Sequence, residues 1–197
     1  MKLVKAVTGF SLLALTLAGC NDSPSPYLDN THPSGTTSAM SVQQQFDQLM
    51  QRPSLEEITS RYEEMRQKIT DSLKGSFGIS TWGKREGQPE TDGCGSDYSV
   101  DSWDGRTYYA QALYSKTPIT YPQWPQAKSL VSEIAGSYGF STVTLVIDKP
   151  DNMGLELNDP YGGKLTFGSA VNTILSFRTG CHLTDEAKKR GTPRPTS

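Results

Sequence analysis

The chain has 197 residues, with 19 basic and 21 acidic side chains, a formal net charge of −2, and 35% hydrophobic residues. That length holds about one domain with enough chain to bury a real core. A mildly acidic balance with interspersed charges argues against nucleic acid, or an anionic membrane face, as partner.

Lys2 and Lys5 open a cationic start, followed by an apolar stretch from Leu3 to Leu17 and then Ala18-Gly19-Cys20. A positive start, a short apolar middle and small residues before the cut are the marks of a secretory signal. The middle is short of the roughly 20 apolar residues that a spanning helix needs. Leu17-Ala18-Gly19-Cys20 resembles the lipobox of bacterial lipoproteins, in which the cysteine thiol is acylated before the leader is cut. The resemblance implies that Cys20 is the lipidated first residue of the mature chain. The lipid bilayer is then a partner, and the body sits on the extracytoplasmic face of the cell membrane. Losing Lys2 and Lys5 leaves 17 basic against 21 acidic side chains, a net charge of −4.

Three cysteines are present, and with Cys20 assigned to lipid, Cys94 and Cys181 remain. In an exported chain they make one disulfide most simply; two free thiols are the alternative. Only His182 lies in the expected folded part, so neither a metal centre nor a cofactor is expected.

Residues 20–52 comprise the acylated cysteine and a Ser/Thr/Pro-rich tether too poor in large apolar residues to fold. A short helix is expected from Val42 to Met50. Pro53-Ser54 then opens the clearest helix. Ser54 and Glu57 have capping-box spacing, and Leu55, Ile58, Tyr62, Met65, Ile69 and Leu73 form one apolar stripe. Lys74-Gly75 is its expected stop. Residues 76–83 are predicted as a strand and 84–105 as a loop. Residues 106–115 read as an aromatic-rich strand. A second helix starts near Pro122 or Pro125 and ends at Gly139. Residues 142–148 place Val143, Leu145 and Ile147 on one face of a strand. Residues 154–158 and 164–167 flank Asp159-Pro160-Tyr161-Gly162-Gly163, a hairpin signal. Residues 170–179 make the last strand, and 185–197 a charged, disordered tail. The expectation is an α+β domain over 53–184. It has an antiparallel sheet of about five strands, two helices packed on one face, and one disulfide.

Catalytic patterns fail on inspection. Gly162-Gly163-Lys164 is followed by leucine, and neither G-x-G-x-x-G nor G-x-S-x-G occurs. Cys181 and His182 are adjacent on a strand and so point to opposite faces. Asp92, Asp97, Asp101 and Asp104 gather carboxylates that could hold calcium, without EF-hand spacing. Glu133 and Glu156 are a candidate pair for a cell-wall glycan hydrolase if a groove brings them together. The remaining lead is aromatic. Trp82, Trp103, Tyr108, Tyr109 and Trp124 are candidate ligand-binding residues, suited to stacking on sugar rings or gripping a protein. The alternative is that about half of these rings are core.

The body resembles the LppA-type lipoproteins of actinobacteria and the related LppV-like sequences. The resemblance is carried by Ser54-Leu55-Glu56-Glu57 with Arg61-Tyr62, by Trp82 and Cys94, and by Ala127 through Tyr138-Gly139-Phe140. It is sharpest at Leu175-Ser176-Phe177-Arg178-Thr179-Gly180-Cys181-His182-Leu183. It implies a lipid-anchored, disulfide-closed α+β domain at the cell envelope, with no catalytic residues to carry over. Together these readings lead to a non-enzymatic lipoprotein that binds an envelope protein or glycan.

Overall fold

The computed structural model describes residues 40–195 except Gln88. The leader, Cys20 and most of the tether lie outside the described residues. Helix α1 (Val42–Met50) starts from a complete capping box, in which the Ser41 hydroxyl and the Gln44 amide each take a partner's backbone N–H. Helix α2 (Leu55–Phe77) opens on the hydroxyl half of the expected box, with Ser54 Oγ accepting from the Glu57 N–H at 3.1 Å.

The predicted stripe is the buried one: Ile58, Tyr62, Met65, Ile69 and Leu73 are all essentially inaccessible. Each fully buried apolar side chain contributes about 1.5–3 kcal/mol, against about 1 kcal/mol for a cap. Packing therefore decides where α2 lies, and also how far it runs. The helix passes through Gly75 and continues to Phe77, so no strand forms over 76–82. It ends at Gly78, whose φ of 70° closes the last turn.

The sheet is larger than expected, with nine strands among the described residues rather than about five. They are β1 (Gly83–Lys84), β2 (Glu90–Gly93), β3 (Gly105–Tyr109), β4 (Leu113–Ser115), β5 (Thr142–Lys149), β6 (Asn152–Asn158), β7 (Lys164–Ser169), β8 (Thr173–Arg178) and β9 (His182–Leu183). Every pairing is antiparallel. The order is β1-β4-β8-β7-β6-β5, and β3 adds pairings to β2, β8 and β9. The expected aromatic strand splits into β3 and β4, and the expected loop contains β2.

Helix α3 (Trp124–Gly136) packs beside α2 on the face formed by Leu155, Leu157, Leu165, Phe167, Leu175 and Phe177. Among the described residues no helix packs on the other face. A break in register between Val143 and Leu145 separates residues predicted to share a face. Val143 stands opposite Leu157 on the helix side, whereas Leu145 stands opposite Glu156 on the bare side.

The tail is not unstructured throughout. Thr184 caps helix α4 (Asp185–Arg190), which has acids in its first turn and bases in its last, as the helix dipole favours. Arg190 and Arg194 both approach Asp104, whose side chain is fully buried. Thus α4 is a helix the sequence reading did not expect, and α1 forms where the short helix was expected. They close a second, smaller core of Phe46, Leu49, Val100, Cys181, Leu183 and Ala187.

The disulfide Cys94–Cys181 is formed within that core and spans 87 residues. A loop of that size is worth about 4–5 kcal/mol in the chain-entropy account. Replacing both cysteines with serine is expected to lower unfolding free energy by about that amount. Urea titration with and without reductant measures it, and reductant should leave the double variant unchanged.

Candidate functional site: a tryptophan-walled cleft

A polar flank of α2 faces the segment that follows it, because Gly78 turns the chain back alongside the helix. Between them lies an open cleft of about 460 Å³. Glu63, Arg66, Asp71 and Lys74 line it from α2, and Trp82 and Lys84 from the returning chain. Trp82 is half-buried, and its indole N–H is enclosed without a protein acceptor.

One wall is fixed by a chain of polar contacts. Arg66 pairs with Glu63 and donates to the Gln111 carbonyl at 2.9 Å. The Tyr108 hydroxyl donates to the other Glu63 oxygen at 3.1 Å. Burial, with the Glu63 charge and hydrogen bond, pushes the Tyr108 phenol above its ordinary value, so it stays a donor. Glu63 and Asp71 are two turns apart on α2, about 12 Å at 1.5 Å per residue. The cleft thus sets charged side chains of both signs beside an indole.

The other sequence candidates are dispersed. Trp124 is fully buried and stacks on Phe167 at 5.4 Å. It is core and not part of a binding surface, because α3 turns its first residue inward. Trp103 is 64% exposed, with the Arg106 guanidinium 5.7 Å from its ring centre. Tyr109 faces the bare side of the sheet, next to Arg178. Of these candidates Trp82 lines the cleft, and Tyr108 reaches its wall through Glu63.

Glu133 is exposed on α3, and Glu156 lies on the sheet's opposite face, bonded to Lys164 at 2.9 Å. The two share no groove. The aspartates do not converge either, and no group of three metal-ligating side chains exists among the described residues. Asp92 and Asp101 accept from nearby backbone N–H groups while Asp104 binds arginines.

Sequence reasoning missed Glu63, Arg66 and Lys74, which border the α2 stripe and read as an ordinary solvated flank. The Glu63-x-x-Arg66 spacing beside Tyr62 and Met65 was the available signal.

The family described as "LppA: Lipoprotein confined to pathogenic Mycobacterium" matches residues 30–185. The chain belongs to the LppA family. Its fold is similar to that of the lipoprotein LppA from Mycobacterium tuberculosis, at 14% identity and a TM-score of 0.59, covering 73% of this chain and 86% of that one. It is also similar to a DUF4853 family protein from Actinomyces odontolyticus, at 21% identity and a TM-score of 0.50, covering 68% and 72% of the two chains. No curated protein matches. Membership of a lipoprotein family points to membrane attachment at the envelope. Among the described residues no helix is long and apolar enough to cross a membrane.

The Thr179-Gly180-Cys181 segment that carried the LppA resemblance has a structural explanation. Thr179 Oγ1 accepts from the Tyr108 N–H at 2.9 Å. A Cβ on Gly180 would overlap the Tyr161 carbonyl oxygen, and Cys181 closes the disulfide, so it is no nucleophile for His182. Arg52 reinforces the same region. It donates to the Tyr98 hydroxyl and to the carbonyls of Cys181 and Tyr161, between the Tyr98 and Tyr161 rings. Nearby, Tyr62 donates to the buried Asp159, and burial together with that bond holds its phenol well above the usual range.

His182 is inaccessible, with Nδ1 2.9 Å from the Pro53 carbonyl oxygen, so Nδ1 carries the proton. Its Nε2 is enclosed and unpaired. Burial lowers its pKa, the Pro53 bond and Asp159 oppose that shift, and Arg52 and Lys188 add to it. The folded state therefore binds a proton less readily than the unfolded chain, whose histidine titrates near 6.5. Stability from this group is complete above about pH 6.5 and falls as the pH drops below it, by up to about 1.4 kcal/mol per pH unit. The melting temperature is expected to fall between about pH 7.5 and 5.5. His182→Gln should flatten that dependence; an unchanged slope in the variant would assign it to other groups.

Proposed function

We propose that this LppA-family protein is acylated at Cys20, held on the extracytoplasmic face of the cell membrane, and binds an envelope glycan non-enzymatically in the α2 cleft. Family membership and the lipobox support the anchor. The glycan reading rests on one observation: a half-buried tryptophan walls a polar cleft of about 460 Å³ that carries both signs of charge. That volume is within the ~300–1,000 Å³ range of small-ligand sites. An indole face stacks on the apolar face of a sugar ring, while Arg66, Lys74, Glu63 and Asp71 meet hydroxyls and carboxylates around its edge. Fixed donors on a helix position such a ligand without having to be ordered first.

The anchor is tested by detergent phase partitioning. The native protein is expected in the detergent phase, and Cys20→Ser in the aqueous phase; an unacylated native Cys20 in intact-mass spectra would overturn it.

The cleft is tested by calorimetric titration with soluble peptidoglycan and arabinogalactan fragments. Saturable binding is expected, with Trp82→Ala weakening it about tenfold or more, as loss of about 1.4 kcal/mol of stacking would. Absence of saturable binding, or equal binding by the variant, would remove the cleft as the site.

A further inference from the structure

Strand β5 is the long edge of the sheet. Its eight residues pair with β6 on one side, and among the described residues no strand pairs with the other. Edge strands are normally guarded by charge, proline or a covering element. Here Thr142 to Ile147 carry no charge and no proline, and Val143, Leu145 and Val146 are 56%, 41% and 47% exposed. Helix α3 lies over β6, and Val143 and Val146 on the helix side of β5 stay exposed. The opposite edge, β1, has two residues and offers little backbone to pair.

We infer that β5 pairs antiparallel with β5 of a second copy of this chain, about a twofold axis at Val146, joining two sheets into one. The sequence of β5 is complementary to itself in that register. Val146 meets its own counterpart on the helix side. Leu145 meets Ile147 of the second copy on the bare side, and the twofold repeats that apolar pair. The register break makes this possible, because it leaves Leu145 and Ile147 on one face with Val146 between them on the other. Antiparallel pairing about Val146 puts the Asp148 and Lys149 of the two copies at opposite ends of the seam, so no like charges meet, a condition that cross-strand pairs require. Asp148 is already 3.6 Å from Lys128 of its own α3. The arrangement uses one patch twice and closes on itself, giving a dimer and not a filament.

A single strand pairing buries less than the roughly 1,200–2,000 Å² of a standard stable interface. Association is therefore weak in dilute solution and strengthened wherever copies share a surface.

The test uses the full chain in detergent. In sedimentation velocity from about 1 μM to 1 mM, the protein should shift from monomer to dimer as concentration passes the dissociation constant. Val146→Lys, which sets two ammonium groups face to face, should raise that constant at least about tenfold with an unchanged circular dichroism spectrum. Val146→Cys should form a covalent dimer on mild oxidation. Val171→Cys, more accessible than position 146 but away from the seam, should not. A wild-type monomer over the whole range, equal association by Val146→Lys, or equal crosslinking at 146 and 171 would each overturn the inference.

Discussion

Helix α2 buries its stripe against one face of the sheet, and that asymmetry organises the domain. Ile58, Tyr62, Met65, Ile69 and Leu73 meet Phe140, Leu155, Phe167 and Phe177 in one continuous core, with α3 filling the space beside them. Five buried side chains at about 1.5–3 kcal/mol each outweigh any local preference of the backbone. Gly75 is thus carried inside the helix, although glycine costs about 1 kcal/mol there. The three extra residues, less than one turn, delay the chain's return until Gly78 and place Trp82 beside the polar flank of the helix. The cleft is a by-product of where that helix stops.

A second organising centre sits at the far end of the sheet. There α1, α4, β9 and the disulfide share a small core, and polar groups tie its margins together. Buried Asp104 takes two arginines from the C-terminal segment, Arg52 binds the carbonyls of Tyr161 and Cys181, and His182 holds Pro53, just before the cap of α2. Such contacts stabilise only when complete, because a stranded buried charge or donor is costly. The most recognisable stretch of sequence, from Leu175 to Leu183, runs from the main core into this smaller one. Its residues bond, pack or crosslink, and none faces the cleft. In this chain that stretch serves the architecture, while the side chains that line the cleft lie on α2 and the segment after it.

Local signals made part of this legible. The α2 stripe, the turn centred on Asp159 to Gly163 and the pairing of two leftover cysteines each depend on residues whose chemistry leaves few choices. Helix α4 also had its signals in plain order: Thr184 as cap, acids, then bases, then Gly191. They were overlooked because a charged, proline-rich composition suggested nothing to bury, yet Ala187 and the arginines find partners on β9 and Asp104. The extent of α2 was decided by partners far along the chain. So was the fate of Trp124, which is as aromatic as Trp82 but turned inward by α3. The register break in β5 had no sequence signature, and it reversed the face assigned to Val143. The cleft was only partly visible, since Trp82 and Tyr108 stood out as aromatics whereas Glu63 and Arg66 looked like any solvated helix flank.

The crosslink between Cys94 and Cys181 has a mechanical consequence. Tension applied between the two ends of the domain passes directly from one cysteine to the other, bypassing everything enclosed between them. Residues 94–181, which hold β3 to β8 and α3, carry no load while the bond lasts. A pull can draw out only the outer helices, the first two strands and the short closing strand, so the extensible length is set by one covalent bond.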